Sequence, residues 1–199
     1  MSLCLIEAAR QLKPVGSIHP QMYATLFGLL AATGLRIGEA LALRGQDITD
    51  DGLHIIETKF QKSRLVPLHP TTHAALDRYL DTRAQVAADT DALFVGLKGT
   101  APRYSGVKEV FMRLMVKIGL QHVRNGGRPH IHDLRHTFAV RSLEQCRGDR
   151  KAVSRHMTAL STYLGHTHVT DTYWYLEATP ALLSQIAEAA EILHREVRL

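Results

Sequence analysis

The sequence predicts an α+β fold, mainly α-helical with one small antiparallel sheet. Three observations carry that expectation. Most of the chain divides into stretches whose apolar residues return every three or four positions, the period of a helix with one buried face. One pair of short segments, residues 53–58 and 64–68, is instead rich in β-formers and brackets a polar turn. No Ser/Gly/Pro-rich linker or shift in composition divides the 199 residues, a length that fills one core, so a single domain over residues 1–199 is expected.

Over residues 21–33, Met22, Leu26, Leu29 and Leu30 recur at helical spacing, and Gly34 ends the helix as a C-terminal glycine does. A second helix starts at once along residues 35–43. Arg36 and Glu39, three apart, share one of its faces, while Ile37 and Leu41 are free to bury another. Arg36 therefore emerges at the start of a helix with a carboxylate beside it. In the following hairpin, Lys59 and Lys62 project from the turn, Arg64 opens the second strand, and Pro67, lacking a ladder donor, makes that strand an edge. Residues 71–87 read as an amphipathic helix capped by Thr71 or Thr72, with Ala75, Leu76, Tyr79 and Leu80 turned inward. After a short Leu93-Phe94-Val95 segment, helices are expected over residues 107–118, 132–145 and 152–164, the last stopped by Gly165. The basic loop from Arg124 to Arg128 delivers the chain to His132. Residues 180–197 form a final helix with a stripe of Leu182, Leu183, Ile186, Ala190 and Leu193.

A formal net charge of +5 favours an anionic partner. Cys4 and Cys146 have neither CxxC spacing nor the density of a disulfide framework, which suits free thiols in a reducing compartment. No apolar run approaches the roughly 20 residues of a membrane span, and no signal-peptide pattern opens the chain, so a soluble, cytoplasmic protein without a membrane partner is expected.

Chemistry concentrates in the last third. His132-Asp133-Leu134-Arg135-His136-Thr137 is followed by Leu164-Gly165-His166 and by Tyr173-Trp174-Tyr175. Imidazoles, a guanidinium and a phenol can together grip and attack a phosphodiester without a metal. His132 and Arg135 share a helix face, whereas Tyr173 and Tyr175, two apart, face opposite ways, so only one can serve as nucleophile. His166 and Tyr175 lie nine residues apart, so a shared site requires the segment between them to bend. Two histidines at i,i+4 also mimic a zinc-protease helix. Aspartate in place of the glutamate, and Arg135 beside the would-be cation, argue against it.

These residues, together with Thr33-Gly34-Leu35-Arg36-Ile37-Gly38-Glu39 and the stretch from Lys59 to Leu68, resemble the catalytic domain of the tyrosine recombinases, the phage-integrase family of site-specific DNA recombinases. The resemblance runs from about Gln21 to Leu193, and each motif is modest alone but specific in this order. It implies the DNA breaking-rejoining fold, with a catalytic core over residues 21–177 and a C-terminal helix over 180–197 that docks into a neighbouring protomer of a tetramer on double-stranded DNA. It implies that Arg36 and Arg135 clamp the scissile phosphate and that Tyr175, selected over Tyr173 by its spacing from His166, attacks to form a 3′-phosphotyrosyl linkage. Lys59 would protonate the leaving 5′-oxygen, with Lys62 its competitor. His132 would take the tyrosine proton or orient the phosphate, His166 would hydrogen-bond it, and Glu39 would position Arg36. Lys62, Arg64, Arg124 and Arg128 are candidates for further DNA-phosphate contacts. No metal, cofactor or ATP enters this chemistry. The expected setting is the nucleoid of a prokaryote, a phage or a mobile element.

Two features depart from the family pattern. The interval between Arg135 and His166 is long, and only about 20 residues precede the first catalytic helix, which implies that the N-terminal DNA-clamping domain is absent and that this chain alone binds DNA weakly. Simpler readings stand beside the motifs: a surface ion pair for Arg36 and Glu39, and solubilising lysines on a hairpin for Lys59 and Lys62. The alternative functions are a non-catalytic DNA-binding module of the same fold and a relaxing topoisomerase of type IB-like chemistry.

Overall fold

The computed structural model describes residues 2–56, 63–88, 90–122, 127–145 and 150–165, together with Thr172 and Tyr175. It is mainly helical with one small antiparallel sheet, as the sequence leads one to expect. Two compact units are distinguished, residues 1–135 and 136–199.

In the first unit the spine is helix α2, Ile18–Thr33. Met22, Leu26, Phe27, Leu29 and Leu30 are all buried, so the helix is enclosed on most of its circumference rather than along one stripe. Its start lies before residue 21 because the Ser17 hydroxyl accepts the His19 N–H at 3.3 Å and caps it. Its end is set by Gly34, whose φ of +63° is the left-handed conformation and whose N–H donates to the Leu30 carbonyl at 2.9 Å. Helix α1, Ser2–Arg10, packs on this spine through Leu5, Ala8 and Ala9. This helix was not among those expected, although the i,i+3,i+4 spacing of Leu5, Ala8 and Ala9 is a helical signal.

Helix α3, Ile37–Ala42, follows the glycine turn. Leu35, Ala40 and Leu43 are its buried anchors, whereas Ile37 and Leu41, expected in the core, are only half-buried. The six-residue helix is too short to present a continuous apolar face. Strands β1 (Ile48–Thr49), β2 (Gly52–Ile56) and β3 (Ser63–Val66) then form an antiparallel sheet in the order β1-β2-β3. Leu53 pairs with Val66 and Ile55 with Arg64. The predicted hairpin is present; the two-residue β1 is an addition too short to show a period. Strand β3 is an edge and stops at Val66, ahead of Pro67.

Helix α4, Pro70–Arg83, begins earlier than Thr71 because Pro70 suits the first helical position and His69 Nδ1 accepts the Thr71 N–H at 3.3 Å. It stops short of residue 87. There the Arg83 guanidinium turns back to donate to the carbonyls of Thr90 at 2.8 Å and Ala92 at 3.1 Å, fixing the return loop. That loop leads into Leu93, Phe94 and Val95, all buried without forming a named strand. Tyr79 holds this irregular segment: its hydroxyl donates to the Leu93 carbonyl at 3.2 Å and accepts the Val95 N–H at 3.1 Å. Burial pushes the Tyr79 phenol up to about 12, against the opposing effects of the Val95 N–H and the Arg83 charge. Helix α5, Tyr104–Lys117, completes the core with Val107, Val110, Phe111, Leu114 and Met115, and Phe111 meets Phe27 edge-on at 5.7 Å.

Helix α6, His132–Glu144, carries the boundary between the units. Within the second unit, Ala139 and Leu143 of α6 form a core with Met157, Leu160 and Leu164 of helix α7, Arg150–Leu164, and with Tyr175. Gly165, at φ +67°, follows the last residue of α7 as expected. The helix predicted over residues 180–197 lies outside the described residues. Among the described residues no helix is long and apolar enough to cross a membrane.

Three substitutions test this account by chemical denaturation. Gly52 sits at φ +134°, and a Cβ there would run into the Val66 carbonyl oxygen, so Gly52→Ala is expected to cost about 2 kcal/mol or more. Gly38→Ala, in α3 with nothing within 4 Å of the added carbon, should instead stabilise by roughly 0.5–1 kcal/mol. Tyr79→Phe leaves the buried Val95 N–H without its acceptor and should cost about 1–3 kcal/mol.

Candidate active site

The site is built in the first unit around the turn that joins α2 to α3. Arg36 occupies the N-cap position of α3 with extended backbone angles, φ −68° and ψ 143°. Glu39, one turn on, folds back over it. Its Oε2 accepts the Arg36 backbone N–H at 2.9 Å, and its Oε1 accepts Arg36 Nη1 at 3.0 Å. One carboxylate therefore satisfies a helix-start donor and holds the guanidinium of the same residue. The Arg36 side chain keeps 41% exposure, against 10% for Glu39, so the carboxylate that restrains the guanidinium is the more enclosed member of the pair.

A second guanidinium reaches the same carboxylate. Arg64 Nη2, from strand β3, donates to Glu39 Oε2 at 2.8 Å with its side chain only 13% exposed. Burial alone would raise the Glu39 pKa. The hydrogen bond from Arg64, the backbone N–H of Arg36 and the two guanidinium charges outweigh it, and the net shift is downward. Glu39 is thus held ionised.

Arg135, on the first turn of α6, is 2% exposed and among the largest fully buried side chains. Its Nη1 donates to the Gly34 carbonyl at 2.7 Å, a contact spanning 101 residues of sequence. A buried guanidinium needs acceptors, and a carbonyl at a helix C-terminus, where backbone acceptors lack helical partners, is well suited to it. The Gly34 to Arg36 turn thus carries one arginine and anchors the other. The entry to α6 is fixed by Asp133, whose Oδ2 accepts the His130 N–H at 2.7 Å, and the exposed His132 sits at that entry.

Of the residues singled out in the sequence, Arg36, Glu39, Arg64 and Arg135 are thereby tied to two adjoining segments. Arg128 is exposed. Lys59, Lys62, Arg124 and His166 lie outside the described residues. Tyr175 belongs to the second unit, where it is 3% exposed among Ala139, Leu143, Met157, Leu160 and Leu164. Its ring stands 5.5 Å from that of His136 at 56°, so His136 packs against the tyrosine. Two features went unread in the sequence. The bond from Arg64 to Glu39 had a signal, since Arg64 shares strand parity with the apolar Val66; the Gly34 carbonyl had none, because a backbone acceptor leaves no trace in residue identity.

Comparisons with known proteins agree on one family. The family model described as "Phage integrase family" matches residues 5–181. A Sinorhizobium fredii protein named "Putative integrase/recombinase y4rB" is 40% identical over 179 residues, covering 87% of this chain and 57% of its own length. "Tyrosine recombinase XerC" of Methylobacterium sp. (strain 4-46) is 35% identical over 169 residues, covering 84% of this chain and 49% of its own. The solved XerA recombinase superposes with a TM-score of 0.74 at 27% identity, over 95% of this chain and 61% of that one. The chain thus spans about half the length of the curated relatives it matches. With its motifs in the family order and the family model covering most of its 199 residues, the chain belongs to the phage integrase family.

Proposed function

We propose that this chain is the catalytic part of a site-specific DNA recombinase that cuts and rejoins strands through a 3′-phosphotyrosyl intermediate. The observation that supports this best is the turn between α2 and α3. It presents the Glu39-held Arg36 and, through the Gly34 carbonyl, anchors the buried Arg135. Two guanidiniums, each restrained before any phosphate arrives, form a preorganised clamp for non-bridging oxygens whose charge grows in the transition state. Such restraint would be wasted on a protein that only binds the DNA backbone, where mobile surface arginines and lysines suffice.

In this reading Tyr175 Oη attacks phosphorus as its proton passes to His132 or to a water that His132 orients. The bond from phosphorus to the 5′-oxygen breaks, and Lys59, or Lys62 in its stead, protonates that oxygen. His166 donates a hydrogen bond to the phosphate. Religation runs the same steps backwards with the 5′-hydroxyl of another strand, so the phosphodiester energy is conserved and neither ATP nor a metal is required. The substrate is double-stranded DNA, residues 21–177 are the catalytic core, and the helix expected over 180–197 joins protomers into a tetramer. Arg124 and Arg128 add phosphate contacts, and the protein works at the nucleoid in the cytoplasm.

A nicked suicide substrate tests the reaction, since loss of a short 5′ fragment traps the covalent adduct. Wild type should accumulate protein–DNA adduct and Tyr175→Phe none; an adduct formed by Tyr175→Phe assigns the nucleophile wrongly. Glu39→Gln should slow adduct formation by about 10–100-fold, as expected when a positioned guanidinium loosens. The same variant has a pH signature. Glu39 has a depressed folded pKa, so its ionised form stabilises the fold above the ordinary carboxyl value of 4.5 and that contribution fades as pH falls through the folded pKa. The stability gap between wild type and Glu39→Gln, about 3 kcal/mol at pH 7, should therefore narrow in urea titrations below about pH 4.5.

A further inference from the structure

Arg64 stands on the edge strand β3, paired across the ladder with the buried Ile55. Within β3, Arg64 and the fully buried Val66 share one face, while Ser63 and Leu65 share the exposed one. A cation on the inward face must find an anion, and this one finds Glu39 at 2.8 Å. That position suits it poorly to reach a DNA backbone and well to act on its neighbour.

We propose that Arg64 is a positioning residue for strand cleavage: from β3 it holds the Glu39 carboxylate, and through that carboxylate it sets the direction of the Arg36 guanidinium. The inference rests on the recombinase reading above and adds a residue to it.

Direction follows from the hydrogen bonds. Glu39 Oε2 is shared by Arg64 Nη2 and the Arg36 backbone N–H, which leaves Oε1 aimed at Arg36 Nη1. Remove Arg64, and the terminal torsion of Glu39, a soft one, is restrained from the Arg36 side alone. Because β3 also forms one leg of the hairpin, the Arg64–Glu39–Arg36 triad ties that hairpin to the start of α3.

The test measures suicide-substrate cleavage for wild type, Arg64→Met, Arg64→Lys, Glu39→Gln and the Arg64→Met/Glu39→Gln double variant, each with its thermal midpoint. Arg64→Met should cleave about 100-fold more slowly, the scale of a small misplacement at a reacting centre. Arg64→Lys, keeping the charge but losing the planar fork, should recover part of that loss. If Arg64 acts through Glu39, the double variant will be no slower than Arg64→Met alone; losses that multiply would show independent roles and overturn the proposal. A second readout separates positioning from general damage to the fold. On DNA carrying a methylphosphonate at the scissile position, where one non-bridging oxygen is gone, the defect of Arg64→Met should shrink to about 10-fold or less, because the acceptor that a well-aimed Arg36 would meet is missing. An equal defect on both substrates would mark a purely structural role. Wild type that forms no adduct sinks the recombinase reading itself, whereas active wild type with an equally active Arg64→Met sinks only the role of Arg64.

Discussion

A carboxylate held between two guanidiniums is the constraint on which the first unit's site depends. Glu39 is nearly enclosed, and an enclosed carboxylate by itself would drift toward its neutral form. It stays ionised because Arg64 and both the backbone and the side chain of Arg36 donate to it. The arrangement is self-consistent only as a set, since loss of one arginine weakens the reason for the acid to remain charged, and loss of the acid removes the carboxylate to which the inward-facing Arg64 donates. Local backbone geometry and long-range packing are thereby joined at one residue. The same Oε2 that caps the start of α3 accepts from a strand residue 25 positions further along the chain.

Around that triad the packing is conventional, which is what allows the polar cluster to be precise. Helix α2 is apolar on nearly every side and is covered by α1 and α4, so the end of α2 has little freedom to move. Tyr79 and Arg83 fix the irregular segment behind it by hydrogen bonds to main-chain groups. Rigid surroundings turn hydrogen bonds of ordinary length into fixed directions, and fixed directions are what an anion clamp requires.

How much of this was legible in the sequence depended on whether information sat in side-chain identity or in the backbone. Helices α2, α4 and α5 announced themselves through spacing, as with Leu26, Leu29 and Leu30, whereas α1 was passed over, and Gly34 announced the end of α2 because few other residues adopt its conformation. The pairing of Arg36 with Glu39 was legible from three-residue spacing alone. Helix boundaries were less so. His69 capping α4 is an unusual choice, and Pro70 was the better clue. Strand β1 was too short to carry a period, and the half-buried state of Ile37 and Leu41 reflects neighbours that no local pattern reveals. The fully buried state of Arg135 was invisible for the same reason, because its acceptor is a carbonyl.

Gly34 has a consequence for how sequences of this kind can vary. It terminates α2, supplies the oxygen that receives Arg135, and stands two positions before Arg36. Chain length in that turn is therefore held as closely as the glycine and the arginine that bound it. An inserted residue between Gly34 and Arg36 would preserve every side chain yet shift one guanidinium relative to the anchor of the other. Surface loops elsewhere absorb insertions and deletions with little penalty. This turn has a fixed gauge, set at one end by the carbonyl that receives Arg135 and at the other by the guanidinium that Glu39 holds.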